Sequence, residues 1–317
     1  MSSKRRLSSH VALAALSVAL VVIGTPATGF AQTAHYGMNS RVITAQHVDK
    51  MVELGADIIR VPFGWDLIEG ACKGCFDWTE TDKWRDEARR TNRKIYGSLG
   101  YTPRWANGGQ TFNYPPIVYQ DYYDFVYATV LRYKDDISLW GVWNEPNLEK
   151  YLYGTDPAVY VNLVIVGRSA IRAANPDAIV LGPDVSHHAV MNGWFQKTMA
   201  SIASLVDVVT IHWYPDGPKL DRMMDQLVKP FVYGKEVWLT ETGLRPCATL
   251  FGEIDQARLY QQVLEAFRVR RHWWTGLIFY DLYDEVTPDD CGSAITRPDW
   301  SNRPAFSVYQ RFINANR

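Results

Sequence analysis

The chain has 317 residues, 47% of them apolar and 13% aromatic, with 12 Trp, 18 Tyr and a formal net charge of −1. That apolar share at this length fits one large core of barrel size rather than a string of small domains. A near-neutral charge with no basic bias gives no reason to expect nucleic acid as a partner, and the four cysteines lack the second ligand pair that a zinc module needs.

The N-terminus comes first in chain order. Lys4, Arg5 and Arg6 precede an apolar stretch from Val11 to Gly24, and Gly29-Phe30-Ala31 supplies small residues after it. This is the order of an export signal cut after Ala31. The stretch is shorter than the roughly 18–20 residues of a membrane span. Residues 1–31 are therefore read as a signal peptide, and 32–317 as one exported domain, a monomer with no stable membrane span. Export permits disulfides. Cys72 with Cys75 and Cys247 with Cys291 is the expected pairing, among three possible ones.

Beyond the signal, short apolar strands alternate with amphipathic helices. The first half reads as strand 35–39, helix 44–54, strand 57–63, helix 79–91, strand 94–99, helix 119–133 and strand 138–143. The second half reads as helix 157–174, strand 178–182, helix 188–201, strand 206–212, helix 220–228, strand 236–241, helix 254–271, strand 276–280 and helix 304–313. Leu163, Val164, Gly167 and Ile171 recur at helical spacing. Thr155-Asp156-Pro157 marks that helix start, with a capping residue before a first-turn proline. Strands such as Ile58-Ile59-Arg60-Val61 do not alternate, as expected for strands buried on both faces. Eight such βα units predict a closed (β/α)8 TIM barrel, an α/β fold in a single domain. An open doubly wound sheet is the rival, but no Gly-x-Gly-x-x-Gly follows the first strand.

Barrel chemistry sits at the carboxyl ends of the strands. Arg60 stands there on the second strand, Asn144 and Glu145 on the fourth, His212 and Tyr214 on the sixth, Glu241 on the seventh, and Tyr280 and Asp281 on the eighth. A lone strand-end glutamate is ordinarily salt-bridged or exposed. Two of them, in Trp143-Asn144-Glu145-Pro146 and Thr240-Glu241-Thr242-Gly243, are what double-displacement glycoside cleavage needs: one carboxyl donates a proton and the other attacks carbon. Tyr101 and several tryptophans are candidates to stack on a sugar face. Trp65, Trp105 and Trp213 are preferred because they fall in βα loops, whereas Trp84, Trp273 and Trp274 read as packing. Asp289-Asp290 is too small a cluster for a calcium site. No metal ligand and no cofactor is predicted.

Asn144-Glu145-Pro146 after the fourth strand and Glu241 after the seventh resemble clan A glycoside hydrolases. Leu54-Gly55-Ala56-Asp57-Ile58-Ile59-Arg60 through Trp65, Phe76-Asp77-Trp78, and Leu99-Gly100-Tyr101-Thr102-Pro103-Arg104-Trp105-Ala106 are similar to the opening of family 39-type enzymes. That group includes β-xylosidases and bacterial exopolysaccharide hydrolases. The resemblance implies a (β/α)8 barrel with Glu145 as acid/base and Glu241 as nucleophile. It also implies Asn144 on the sugar 2-hydroxyl and a histidine at His212 touching the sugar or the acid/base. Retention of configuration implies carboxyls about 5–5.5 Å apart. Arg60 and Tyr214 are expected to hold Glu241 ionised, and Tyr280 to floor the reacting sugar. The chain ends soon after the last helix with no evident β-sandwich, which favours a single-domain, open-groove enzyme cutting within a polysaccharide or oligosaccharide. A dead, carbohydrate-binding barrel and a transglycosylase using the same glutamates are the alternatives.

Overall fold

The structure is a computed structural model that describes residues 33–284 and 292–317. The expected signal peptide, Asp289, Asp290 and Cys291 lie outside the described residues. Residues Gln32–Arg317 make one compact unit.

Eight parallel strands close on themselves in sequence order. They are β1 (His35–Asn39), β2 (Ile58–Gly64), β3 (Lys94–Gly100), β4 (Leu139–Val142), β5 (Ile179–Val185), β6 (Val208–His212), β7 (Val237–Glu241) and β8 (Trp274–Phe279). Closure is made by β8 against β1, with Tyr36 level with Leu277 and Gly37 with Ile278. The ring of helices is α1 (Ala45–Leu54), α2 (Trp65–Ile68), α3 (Thr79–Arg90), α4 (Tyr119–Tyr133), α5 (Pro157–Ala174), α6 (His187–Met191), α7 (Trp194–Ile202), α8 (Leu220–Arg222), α9 (Glu253–Arg268) and α10 (Pro304–Ala315). The expected TIM barrel is therefore the observed fold. Among the described residues no helix is long and apolar enough to cross a membrane.

Two apolar clusters hold the fold. The larger lies between strands and helices. The smaller fills the barrel interior with Ile58, Tyr96, Leu139, Leu181, Val208, Trp238 and Ile278. Strands buried on both faces are what turned the alternation in the sequence into continuous apolar runs. Glycine makes room inside. A Cβ on Gly141 would sit 2.5 Å from the Tyr96 hydroxyl, so only glycine lets that side chain rise through the barrel.

Local signals account for the helix ends. Thr44 caps α1, and Gly55 closes it at φ 85°. Asp156 accepts from the Ala158 amide ahead of Pro157 at the start of α5.

Three elements differ from expectation. The strand read as 178–182 runs on to Val185, because Gly182-Pro183-Asp184 continues the strand with a bulge instead of turning away. The helix read as 188–201 is two helices, since Gly193 takes φ 85° and breaks the chain direction between them. The stretch read as 220–228 begins as α8 and widens into a π-helical turn over Met223–Val228.

Cys72 and Cys75 are joined, as expected. Cys247 is also disulfide-bonded, while its expected partner is the undescribed Cys291.

Candidate active site

The strands and their ends bring ten polar side chains into one buried network. Arg60, at the end of β2, is its hub. One guanidinium nitrogen donates to Asn39 Oδ1 at 2.8 Å and to Glu241 Oε2 at 3.3 Å. The other donates to Asn144 Oδ1 at 2.6 Å and to Asp184 Oδ2 at 3.1 Å. The Tyr96 ring lies 5.4 Å from the guanidinium carbon, and its hydroxyl donates to Asp184. Arg60 is thus a buried cation with paired partners, the arrangement that makes such burial tolerable.

Glu241 ends β7, and its carboxylate is held at both oxygens. Tyr214 donates to Oε1 at 2.6 Å, and Arg60 takes Oε2. Burial and the Glu241 charge push the Tyr214 hydroxyl far above the ordinary phenol range, so it remains a donor. Glu145 follows β4. His212 Nδ1 lies 3.1 Å from Glu145 Oε1 and 3.6 Å from Glu241 Oε2. One donor atom from each of Glu145, His212 and Glu241 falls within 4.8 Å of the other two.

His212 is fully buried. Burial alone would make it less basic. The charge of Glu241 and the contacts with Asp184 and Glu145 outweigh that and push its pKa up to about 9, so it is an imidazolium at neutral pH. Its Nε2 faces Asp184 Oδ1 at 3.7 Å. Asp184 shows the converse. Burial would raise it, but Arg60, His212 and the Thr240 hydroxyl at 2.5 Å hold its carboxyl well below the usual range. Asp281 goes the other way: burial pushes it up to about 8, against the opposing pull of the Leu282 amide and the Arg41 charge.

The backbone is bent to aim these groups. Trp143, Glu145 and Asp184 have φ of 68°, 43° and 48°. Each such non-glycine residue costs on the order of 1–3 kcal/mol and survives only where neighbours over-determine it. Here the Glu145 amide donates to Asp184 O at 2.9 Å and the Trp143 amide to Leu99 O at 2.9 Å.

Two cavities flank the carboxylate pair. One, of about 280 Å³, is lined by Asn39, Arg60, Tyr101, Asn144, Tyr151, Glu241 and Tyr280. The other, of about 480 Å³, is lined by Glu145, His187, His188, Tyr214, Asp216 and Arg245.

Arg60, Asn144, Glu145, His212, Tyr214, Glu241 and Tyr280 are therefore gathered together. The tryptophans are not. Trp65 is sealed in the core, its indole N–H bonded to Glu69 at 2.7 Å and its ring stacked on Phe125. Trp105 packs edge-on to Trp65 and donates to Glu69 O at 2.6 Å. Trp213 donates to Pro218 O at 2.8 Å and turns outward, lining a separate groove with Leu259 and Val263. An indole N–H under cover must find an acceptor; the Glu69 carboxylate captures that of Trp65, and backbone carbonyls in the βα loops capture those of Trp105 and Trp213. The rings at the site are tyrosines: Tyr101, Tyr151, Tyr214 and Tyr280.

Four residues of the network were missed. Asn39 is the last residue of a strand that was itself foreseen, so the strand-end rule contained the signal. Asp184 was hidden behind a Gly-Pro pair that reads as a turn. Tyr96 and Thr240 sit inside strands, where nothing in the sequence separates a functional hydroxyl from packing.

A family model described as glycosyl hydrolase catalytic core matches residues 109–289. The β-xylosidase of Geobacillus stearothermophilus is 27% identical over 132 residues, which is 37% of this chain and 26% of the relative. A family 39 glycoside hydrolase from the gut symbiont Bacteroides cellulosilyticus WH2 superposes with a TM-score of 0.73 at 19% identity, over 89% of this chain and 64% of that one. A family 39 β-xylosidase from Caulobacter crescentus gives 0.73 at 20% identity, over 89% and 71%. The chain thus spans about a quarter of the curated relative it matches, and at these identities the solved structures share the fold. The resemblance to clan A, family 39-type enzymes holds. Because the matched segment is more than half of the chain and carries Glu145 and Glu241, the protein belongs to the glycosyl hydrolase catalytic core family.

Proposed function

We propose that this chain is an exported, retaining β-glycosidase that cuts within an extracellular polysaccharide. The observation carrying the reading is the approach of the Glu145 and Glu241 oxygens to within 4.8 Å. An inverting enzyme needs carboxyls roughly 6.5–9.5 Å apart to hold a water between them, whereas a retaining one needs about 5–5.5 Å.

The residues then take these parts. Glu241, with both oxygens accepting from Tyr214 and Arg60, attacks the anomeric carbon. Glu145 gives its proton to the glycosidic oxygen as the carbon–oxygen bond breaks, leaving a glycosyl ester on Glu241. Water then loses a proton to Glu145, bonds to the anomeric carbon and releases Glu241. The buried charges favour this division. Arg60 and His212 are two cations facing Asp184, Glu145 and Glu241, so one proton on the glutamate pair makes the group neutral. Asn144 Oδ1 is taken by Arg60, which turns its amide N–H toward the sugar 2-hydroxyl. Tyr101, Tyr151 and Tyr280 give the reacting sugar apolar faces.

Open space on both sides of the carboxylates supports internal cleavage, since the chain of sugars can continue past the cut. The joined Cys72 and Cys75 support an oxidising compartment.

The test is digestion of a polysaccharide panel and activated aryl β-glycosides, with products sized by mass spectrometry and the first anomer read by NMR. A ladder of β-configured oligomers is expected. Glu241→Gln should lower kcat/KM by on the order of 10⁴-fold, and Glu145→Gln by about 10²–10⁴-fold, with less loss on good leaving groups. An α-anomer as first product sinks retention, and monosaccharide alone sinks internal cleavage. Binding without turnover leaves a carbohydrate-binding barrel, and products longer than the input mean transglycosylation.

A further inference from the structure

His187 is a buried residue whose environment the proposed chemistry does not explain. It is 3% exposed, and neither ring nitrogen has a hydrogen-bond partner among the described residues. Buried polar atoms without partners are uncommon in native folds and call for a cause. The ring is wedged where Gly217 passes: a Cβ there would meet it at 2.9 Å. Its Nε2 faces Asp216 Oδ1 at 3.9 Å. The His188 ring lies alongside, with centroids 4.2 Å apart. One donor atom from each of the three falls within 4.8 Å of the other two.

We propose that His187, His188 and Asp216 form a divalent transition-metal site of the zinc class, on the wall of the cavity beside Glu145. Two imidazoles and a carboxylate are the ligand types such ions select. An ion bonded at about 2.0–2.2 Å to each donor needs donors no more than about 4.4 Å apart. The Nε2–Oδ1 pair already meets that limit, and His188 and Asp216 are exposed and free to close the rest by side-chain rotation. Three protein ligands leave an open position toward the cavity. On the glycosidase reading, a hydroxyl or carboxylate of the leaving sugar can take it; the ion site itself does not depend on that reading.

The cluster of Glu145, His212 and Glu241 has the same donor types at similar spacing but is not a second such site. Its imidazole is protonated and already lies between the two carboxylates.

The experiment is calorimetric titration of the tag-free full chain, freed of metal by chelation, with ZnCl2, alongside melting temperature with and without Zn²⁺. The expected result is one saturable equivalent and a raised melting temperature. Asp216→Asn and His188→Ala should each weaken binding at least tenfold, while Glu241→Gln leaves it unchanged. Both altered positions are exposed, and equal metal-free melting temperatures check that the variants fold. If one does not fold, the other carries the test. No saturable equivalent, or an equivalent lost with Glu241→Gln and kept in Asp216→Asn and His188→Ala, overturns the site.

Discussion

His212 and His187 lie on the same end of the barrel, each beside carboxylates, and their environments are opposite. His212 sits at the centre with Glu145 and Glu241 against Nδ1 and Asp184 3.7 Å from Nε2, and it is charged. His187 sits in the wall with its nitrogens unpartnered among the described residues, and burial drives it toward neutrality. Burial penalises the imidazolium at both positions; what differs is whether strand ends supply negative charge to outweigh it. The barrel thus builds a fixed charge where chemistry is proposed and leaves coordinating capacity at the edge.

Removing the charge balance at the centre should have the largest effect. Asp184→Ala removes the more deeply buried of the two anions that Arg60 and His212 share and should cost about 3–5 kcal/mol in urea unfolding. A loss under about 1 kcal/mol would mean the centre is far wetter than its burial indicates.

The pH dependence comes next. His212 binds its proton more tightly folded than unfolded, so its contribution is complete below about pH 6.5 and is lost as pH rises through about 9. The loss is on the order of 3 kcal/mol. Asp281, raised to about 8, adds a loss of the same sign between about pH 4 and 8. The difference between wild type and His212→Gln in melting temperature across this range isolates the histidine. Parallel curves would remove the imidazolium from the account.

Gly141→Ala is a smaller probe of the same centre. The added methyl displaces the Tyr96 hydroxyl from Asp184 and should cost about 1–3 kcal/mol. His188→Ala, at the edge, should change metal-free stability by no more than about 0.5 kcal/mol by urea titration. Equal losses at Gly141 and His188 would dissolve the contrast between built centre and open edge.

The barrel was legible because parallel strands covered on both faces leave continuous apolar runs, and helices between them leave their period. The two glutamates were legible for the same reason: polar residues at the ends of such runs have few places to go but the carboxyl rim. What stayed hidden was set by three-dimensional pairing. Asp184 depends on a bulge after Gly182-Pro183, where turn-forming residues instead prolong a strand. The tryptophans misled because loop position predicts exposure, whereas their N–H groups were claimed by acceptors in the βα loops, the Glu69 carboxylate and the Glu69 and Pro218 carbonyls. The break at Asn192-Gly193 was written in the sequence as a turn dipeptide, but the apolar periodicity around it suggested one continuous helix.

The network around Arg60 draws Asn39, Tyr96, Asn144, Asp184, Thr240 and Glu241 from five further strands of the ring. A half-barrel fragment ending after β4 would hold the Arg60 guanidinium without Asp184 or Glu241, and the complementary fragment would hold those two carboxylates with His212 but without Arg60. Neither piece can rehearse the chemistry alone, and the catalytic centre and the closed ring should come into being in a single cooperative event. Ancestral assembly by duplication of a working half is correspondingly hard to reconcile with this centre.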